Sequence, residues 1–156
     1  MTNAPETINI VFVNAITTGK DTYDEKKRTI YWDPKAGLVL GNKTHIMSAA
    51  LGLAHEMGHA AQHLSREYDE IFDAMINNKP ISKEQILMLE EANLAKYETP
   101  IAQELGEYTR ANYGDAKRMH RMKSSTDWGT LNPWYYTWAP WLESYENQNT
   151  WTPAQK

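Results

Sequence analysis

Three residues within one five-residue segment could do metal chemistry. His55 and His59 are four residues apart, and Glu56 directly follows the first histidine. On a helix four residues make one turn plus about 40°, so the two imidazoles project from nearly the same face and can bind one ion through Nε2. Glu56 lies on the flank of that face, where it is poorly placed as a ligand but well placed to take a proton from a metal-bound water. The pattern predicts a metal site that activates water.

The residues around this motif are typical of a helix, which we predict over residues 45–64. Thr44 ends a turn segment and is the expected N-cap. Gly58 in a helix interior costs about 1 kcal/mol relative to alanine, which predicts that another part of the chain approaches the backbone there. Apolar side chains recur at three- and four-residue steps through the segment: Ile46, Ala49, Ala50, Leu53, Met57, Ala60, Ala61 and Leu64.

The motif leaves one ligand to be found elsewhere in the chain. Catalytic zinc usually has three protein ligands and one position for water, and the chain contains no cysteine, so the third ligand must be a histidine or a carboxylate. His63 is eight residues after His55, about 12 Å along a helix axis, which is too far for one ion. We interpret His63 as a polar rim residue and His120 as a surface histidine.

A glutamate on a later helix is the preferred third ligand, and Zn²⁺ is the predicted cofactor. Glu91 and Glu98 share the side of that helix that four apolar residues mark as buried, and buried carboxylates are rare unless paired or metal-bound. Glu98 is favoured because it lies where the chain bends before Pro100, while Glu91 and Glu104 remain alternatives. The four apolar residues are Leu87, Leu94, Ile101 and Leu105.

The rest of the chain predicts an α+β fold, with a small antiparallel or mixed sheet packed on the motif helix and on a second, ligand-bearing helix. A buried strand is expected at 8–13, a loop at 18–28, and a hairpin of strands at 29–32 and 38–40. A short helix is expected at 69–76. Ser82 begins a capping box for a helix to about 96, and Thr99 is the N-cap of a continuation to about 112. The basic segment 115–126 is expected to be a loop.

Aromatic residues are concentrated near the C-terminus. Such residues bury large areas, so we expect the tail over 126–156 to pack on the domain and complete a thin core. The alternatives are a substrate wall, a partner surface or a contact with a membrane interface. The residues are Trp128, Trp134, Tyr135, Tyr136, Trp138, Trp141, Tyr145 and Trp151.

Composition narrows the function classes. A length of 156 residues predicts a single domain, residues 1–156. The net charge of −4 and the lack of a long basic run argue against nucleic acid as a partner. The first residues lack the basic start and apolar core of a signal peptide, and no apolar run reaches transmembrane length.

The motif at 55–59, followed by the segment 97–113 (YETPIAQELGEYTRANY), resembles secreted bacterial zinc metallopeptidase effectors. It is most similar to the C-terminal peptidase domain of some VgrG spike proteins of type VI secretion, over about residues 28–113. The resemblance implies a zincin-like toxin domain that hydrolyses peptide bonds after delivery into a neighbouring cell, with the periplasm as a target compartment. It also implies a larger spike protein N-terminal to this chain and a cognate immunity protein as partners.

The expected mechanism uses Glu56 as the proton acceptor, with Tyr108, Arg110 and Tyr113 as candidates to stabilise the transition state. Two other functions remain open. One is an interaction module that binds a partner through the aromatic tail and for which catalysis is dispensable. The other is a zinc amidase acting on cell-wall peptides. The presence of Glu56 favours an enzyme, because a pure binding module needs no general base beside two ligands.

Overall fold

The computed structural model describes residues 6–15, 21–41, 44–131 and 151–153. Its strands are β1 (Asn9–Phe12), β2 (Thr22–Asp24), β3 (Thr29–Trp32), β4 (Ala36–Leu40), β5 (His45–Met47), β6 (Ala116–Arg121), β7 (Gly129–Leu131) and β8 (Trp151–Pro153). Its helices are α1 (Ala49–Ser65), α2 (Asp69–Ile76), α3 (Lys83–Asn93) and α4 (Thr99–Leu105). A π-helical turn, Leu94–Glu98, joins α3 to α4, and a short 3₁₀ helix spans Tyr113–Asp115.

The strands form two sheets, and the predicted α+β class is confirmed. The first sheet has the order β1-β3-β2, with β1 parallel and β2 antiparallel to β3. The second sheet is antiparallel, with the order β6-β4-β5-β7-β8. The predicted hairpin of 29–32 with 38–40 is wrong, because the two strands lie in different sheets. Asp33 between them is buried and accepts hydrogen bonds from the N–H groups of Ala15 and Lys35, which directs the chain from one sheet to the other.

Helix α1, which carries the motif, packs against both sheets. Its N-cap is Ser48, whose hydroxyl accepts the Leu51 N–H, so the predicted cap at Thr44 is wrong: residues 45–47 form β5 instead of the first helical turn. Trp32 in β3 donates its indole N–H to the Ala49 carbonyl at 2.8 Å, which ties the start of the helix to the first sheet. Apolar side chains of α1, β2, β3, α2 and α3 form the largest core cluster: Tyr23, Ile30, Trp32, Ala49, Ala60, Ile71, Phe72 and Leu89.

The predicted helix at 69–76 and the Ser82 capping box are both confirmed. The later helix differs from its prediction in two respects. Thr99 makes no cap, because the chain passes through the π turn without leaving helical geometry. The helix ends at Leu105, with Gly106 at φ 72°, rather than near 112. A positive φ is strained for residues with a Cβ, so a glycine at this position ends the helix easily.

Three predictions about strands and loops need correction. The segment at 8–13 does form β1, but its side chains are exposed, because β1 pairs only with β3 among the described strands. The predicted loop at 18–28 contains β2, and the predicted loop at 115–126 contains β6, which pairs with β4. Of the aromatic tail, Trp128 packs edge-on against Tyr108 and Trp151 begins β8. The other aromatic residues of the tail lie outside the described residues.

Within the described parts of the chain, no helix has the length and apolar character needed to cross a membrane.

Candidate metal centre

The two histidines of α1 direct their Nε2 atoms at one point, and Glu90 of α3 completes the group. The Nε2 atoms of His55 and His59 are 3.2 Å apart. Glu90 Oε2 lies 3.2 Å from His55 Nε2 and 3.1 Å from His59 Nε2. The side chains of His55, His59 and Glu90 are only 8%, 12% and 13% exposed, respectively. Three possible ligand atoms therefore meet in a largely buried place.

The opposite nitrogen of each imidazole is held by an acceptor. His55 Nδ1 lies 2.8 Å from Glu98 Oε2 and donates to it. Arg110 donates to both oxygens of the same carboxylate. Its Nη2 atom lies 3.1 Å from His55 Nδ1, because both nitrogens donate to Glu98. Because Nδ1 donates to Glu98, the neutral form of His55 has its lone pair on Nε2, which faces the group.

His59 is oriented in the same way by a neutral acceptor. Its Nδ1 lies 3.0 Å from Gln62 Oε1. The orientation of the Gln62 amide is set independently, because its Nε2 donates to the carbonyl of Leu89 at 3.0 Å. Gln62 therefore presents its oxygen to His59, and the proton of His59 is on Nδ1. Its Nε2 lone pair also faces the group.

With both rings neutral, three acceptor atoms converge on one point, an arrangement that one metal ion can satisfy at all three contacts. Without an ion, a proton on His55 Nε2 can bridge the ring to Glu90, in line with the raised pKa of His55. Zn–N distances of 2.0–2.1 Å place tetrahedral ligands about 3.3 Å apart, close to the separations of 3.1 Å and 3.2 Å in this group. Two imidazoles and one carboxylate are a ligand set that zinc accepts, so the residues present fit the predicted ion.

The charges of the group are strongly coupled. Burial alone would lower the pKa of His55, but hydrogen bonds to Glu90 and Glu98 outweigh it and raise the pKa to about 9. Burial alone would raise the pKa of Glu90, but the two histidines lower it to about 2. Glu98 behaves like Glu90, because His55 and Arg110 outweigh its burial and lower its pKa. Both carboxylates are therefore ionised at neutral pH, as a metal site needs.

Glu98, our predicted third ligand, is buried as expected but lies on the wrong side of His55. Its carboxylate contacts Nδ1, while the ligand group forms at Nε2. The π turn accounts for the difference. In a regular α-helix the residue seven positions before Glu98, which is Glu91, shares its face. A π turn inserts one extra residue, so that Glu90 comes to this side of the helix and Glu91 turns away.

The buried side of this helix also differs from the predicted one. Leu94 is buried, but Leu87 and Leu105 are 52% and 53% exposed. Leu89 and Asn93 are buried in their place. The sequence signal that could have identified Glu90 is the pair Glu90–Glu91, of which a helix can direct only one residue inward.

The other candidate ligands lie away from the group. Glu91 accepts the Tyr113 N–H near the surface, and Glu104 is exposed. His63, predicted as a rim residue, contacts the Tyr23 hydroxyl through Nδ1 at 2.9 Å and lines a separate surface pocket. His120 is half-buried in β6 rather than on the surface.

Gly58 is approached closely by another side chain, as predicted. Asn93 of α3 donates from Nδ2 to the carbonyl of His55 at 2.8 Å, and its amide lies directly over Gly58. A Cβ at position 58 would be 1.9 Å from Asn93 Oδ1. The glycine therefore lets α3 pack close enough to α1 for Glu90 to reach the histidines.

Glu56 lines a cleft of about 230 Å³ that opens beside the ligand group. Burial raises the pKa of Glu56, while the neighbouring histidines and the backbone N–H of Tyr23, which donates to its carboxylate, act in the opposite direction. The predicted proton acceptor thus lies beside the ligands without joining them. The other residues lining the cleft are Asp21, Thr22, Tyr23, Glu25, His55, His59, Phe72, Met75, Leu89, Glu90 and Tyr113.

Of the three predicted transition-state stabilisers, only Tyr113 lines the cleft. Its ring stacks on His55 with centroids 6.0 Å apart, and burial followed by the charge of Glu90 raises its pKa to about 12, so it remains a hydrogen-bond donor. Arg110 instead lies behind His55 with Glu98. Tyr108 stacks on His45 in the second sheet, outside the cleft.

Comparisons with family models, with curated proteins and with solved structures found no match for this chain.

Proposed function

We propose that this chain is a zinc-dependent hydrolase of peptide bonds with a zincin-like site, in which His55, His59 and Glu90 hold the metal. The observation that carries this proposal is the convergence of three lone-pair acceptors at 3.1–3.2 Å, with both imidazole Nδ1 protons held elsewhere. Glu90 takes the role that the sequence assigned to Glu98. Glu98 with Arg110 instead orients His55, as carboxylate partners of metal-bound histidines commonly do.

The residues around the group suit hydrolysis. The chemistry that zinc supplies when bound is a lowered pKa for its water, about 7, and polarisation of a carbonyl group. Glu56, beside the ligands and open to the cleft, takes the proton of the attacking water and returns it to the leaving amine. The raised pKa of Glu56 suits a group that must both accept and release a proton. The Tyr113 hydroxyl is a donor for the developing oxyanion.

The proposal is tested by measuring zinc content and peptide cleavage together. Purified protein should contain about one zinc per chain, and the double variant His55→Ala/His59→Ala should contain almost none. Glu56→Gln should retain zinc and fold while losing about 100-fold or more of its cleavage rate on a random peptide library analysed by mass spectrometry. Glu104→Gln, which removes an exposed carboxylate, is the matched control. Full activity of Glu56→Gln would refute the mechanism.

The resemblance to secreted effectors also suggests where the enzyme would act. A secreted effector of a spike protein, active in the periplasm of a target cell and neutralised by an immunity protein, would need the same catalytic site. Expression of the chain directed to the bacterial periplasm should slow growth, and Glu56→Gln should abolish that effect. Equal toxicity of both proteins would argue for binding rather than catalysis.

A further inference from the structure

The cleft beside the metal centre carries more negative charge than a divalent ion offsets. Four carboxylates line it, from Asp21, Glu25, Glu56 and Glu90. A divalent cation offsets Glu56 and Glu90, which leaves Asp21 and Glu25. Among the described residues, no lysine or arginine lines the cleft. The carboxyl groups of Asp21 and Glu25 therefore face whatever enters the cleft, and a cation there would favour the ionised form of both.

Asp21 differs from Glu25 because it is buried and has no cationic partner among the described residues. It is 8% exposed, and its Oδ1 accepts the backbone N–H of Asp33 at 2.9 Å. Its Oδ2 accepts no hydrogen bond from the described parts of the chain and lies over Gly52, where a Cβ would be 3.2 Å away. Burial, with added repulsion from Glu56 and Asp33, raises its pKa to about 7. Such a carboxylate gains from a cation that reaches it.

Apolar side chains line the same cleft as these carboxylates. Among them are Phe72 and Met75, both on α2. A cleft lined by both kinds of group suits lysine and arginine, whose methylene stems pack on apolar surface while the charged group reaches a polar partner. A short polar side chain would leave these apolar side chains uncovered, and an acidic one would be repelled.

We propose that this cleft binds a lysine or arginine side chain of the substrate, with Asp21 and Glu25 contacting the cationic group and Phe72 and Met75 packing along its stem. The proposal rests on the peptidase function above, whose substrate class it names. Asp21 and Glu25 are then the residues that determine specificity, while the metal ligands and Glu56 perform the reaction.

Binding and cleavage should be measured separately, so that the two proposals can fail independently. Zinc-loaded Glu56→Gln protein is titrated by calorimetry with acetylated, amidated pentapeptides Ala-Ala-X-Ala-Ala, in which X is lysine, arginine, norleucine or glutamate. Norleucine keeps the stem of lysine without its charge. We expect lysine and arginine to bind about 10-fold or more tightly than norleucine. Wild-type protein should cleave the same peptides in the same order of kcat/KM.

The variants assign the preference to the two carboxylates. Glu25→Gln and Asp21→Asn, each made in the Glu56→Gln protein, should each remove most of the preference, and Glu104→Gln should leave it unchanged. Asn at position 21 can still accept the Asp33 N–H, and Glu25 is partly exposed, so both variants should fold. Equal binding of lysine and norleucine, or no binding of any peptide, would overturn the inference. Cleavage without preference would refute only this inference, and preference without cleavage only the peptidase.

Discussion

The exchange of Glu98 for Glu90 as the third ligand can be tested directly by Glu90→Gln. The histidines lower the pKa of Glu90 from 4.5 to about 2, and its side chain is 13% exposed. That difference corresponds to roughly 3 kcal/mol of interaction with the two histidines, or about a 100-fold change in an equilibrium constant. A divalent ion at the same distances attracts the carboxylate at least as strongly. We therefore expect Glu90→Gln to weaken zinc binding by about 100- to 1,000-fold.

The assay is competition with a chelator of known affinity, on wild-type protein and three single variants. Glu98→Gln should weaken binding by about 10- to 100-fold, as the loss of an outer partner of a ligand histidine does. Glu91→Gln is the matched control, because it removes the neighbouring carboxylate on the same helix and should change the affinity less than about twofold.

The structure of the zinc-loaded protein supplies the second measurement. A zinc–oxygen distance of about 2.0–2.2 Å to Glu90, and none to Glu98, is expected. An affinity that falls more in Glu98→Gln than in Glu90→Gln, together with direct ligation by Glu98, would refute our reasoning about the π turn.

Three further predictions concern stability, each measured as the free energy of unfolding in denaturant. Gly58→Ala should lose about 1–3 kcal/mol despite its better helix propensity, because its Cβ would collide with Asn93; the loss should largely vanish in an Asn93→Gly background. Asp21→Asn should stabilise the protein at pH 8 but hardly at pH 4. The reason is that the folded pKa of Asp21, about 7, lies above its ordinary 3.8. The wild type therefore loses stability as the pH rises between these values, to a total of about 4 kcal/mol; an equal difference at both pH values would contradict this. Arg110→Met should cost about 3–5 kcal/mol because it leaves Glu98 buried with only His55 as a charge partner, and Glu98→Gln in the same chain should recover part of that loss.

The features that the sequence alone determined involve residues close together in the chain. The spacing of His55 and His59 places them on one face of any helix, and Glu56 on its flank, because the helical repeat requires it. The capping box at Ser82 depends on residues three positions apart and is present in the structure. Gly58 indicated a close approach because glycine lowers the stability of a helix relative to alanine and has no side chain to obstruct a neighbour. The sequence could not identify that neighbour as Asn93.

Only the tertiary structure decided which residues complete the site. Glu90, rather than Glu91, lies beside the Nε2 atoms because one extra residue in the π turn rotates the helix before it, and no residue type in that segment requires such a turn. Asp21 reaches the cleft next to β2, which pairs with β3 although its charged segment indicated a loop. Helical periodicity relates residues a few positions apart, whereas these contacts depend on how distant segments pack. The histidine–glutamate motif was therefore accessible from the sequence, while the proximity of Glu90 to its histidines and the carboxylates that line its cleft were not.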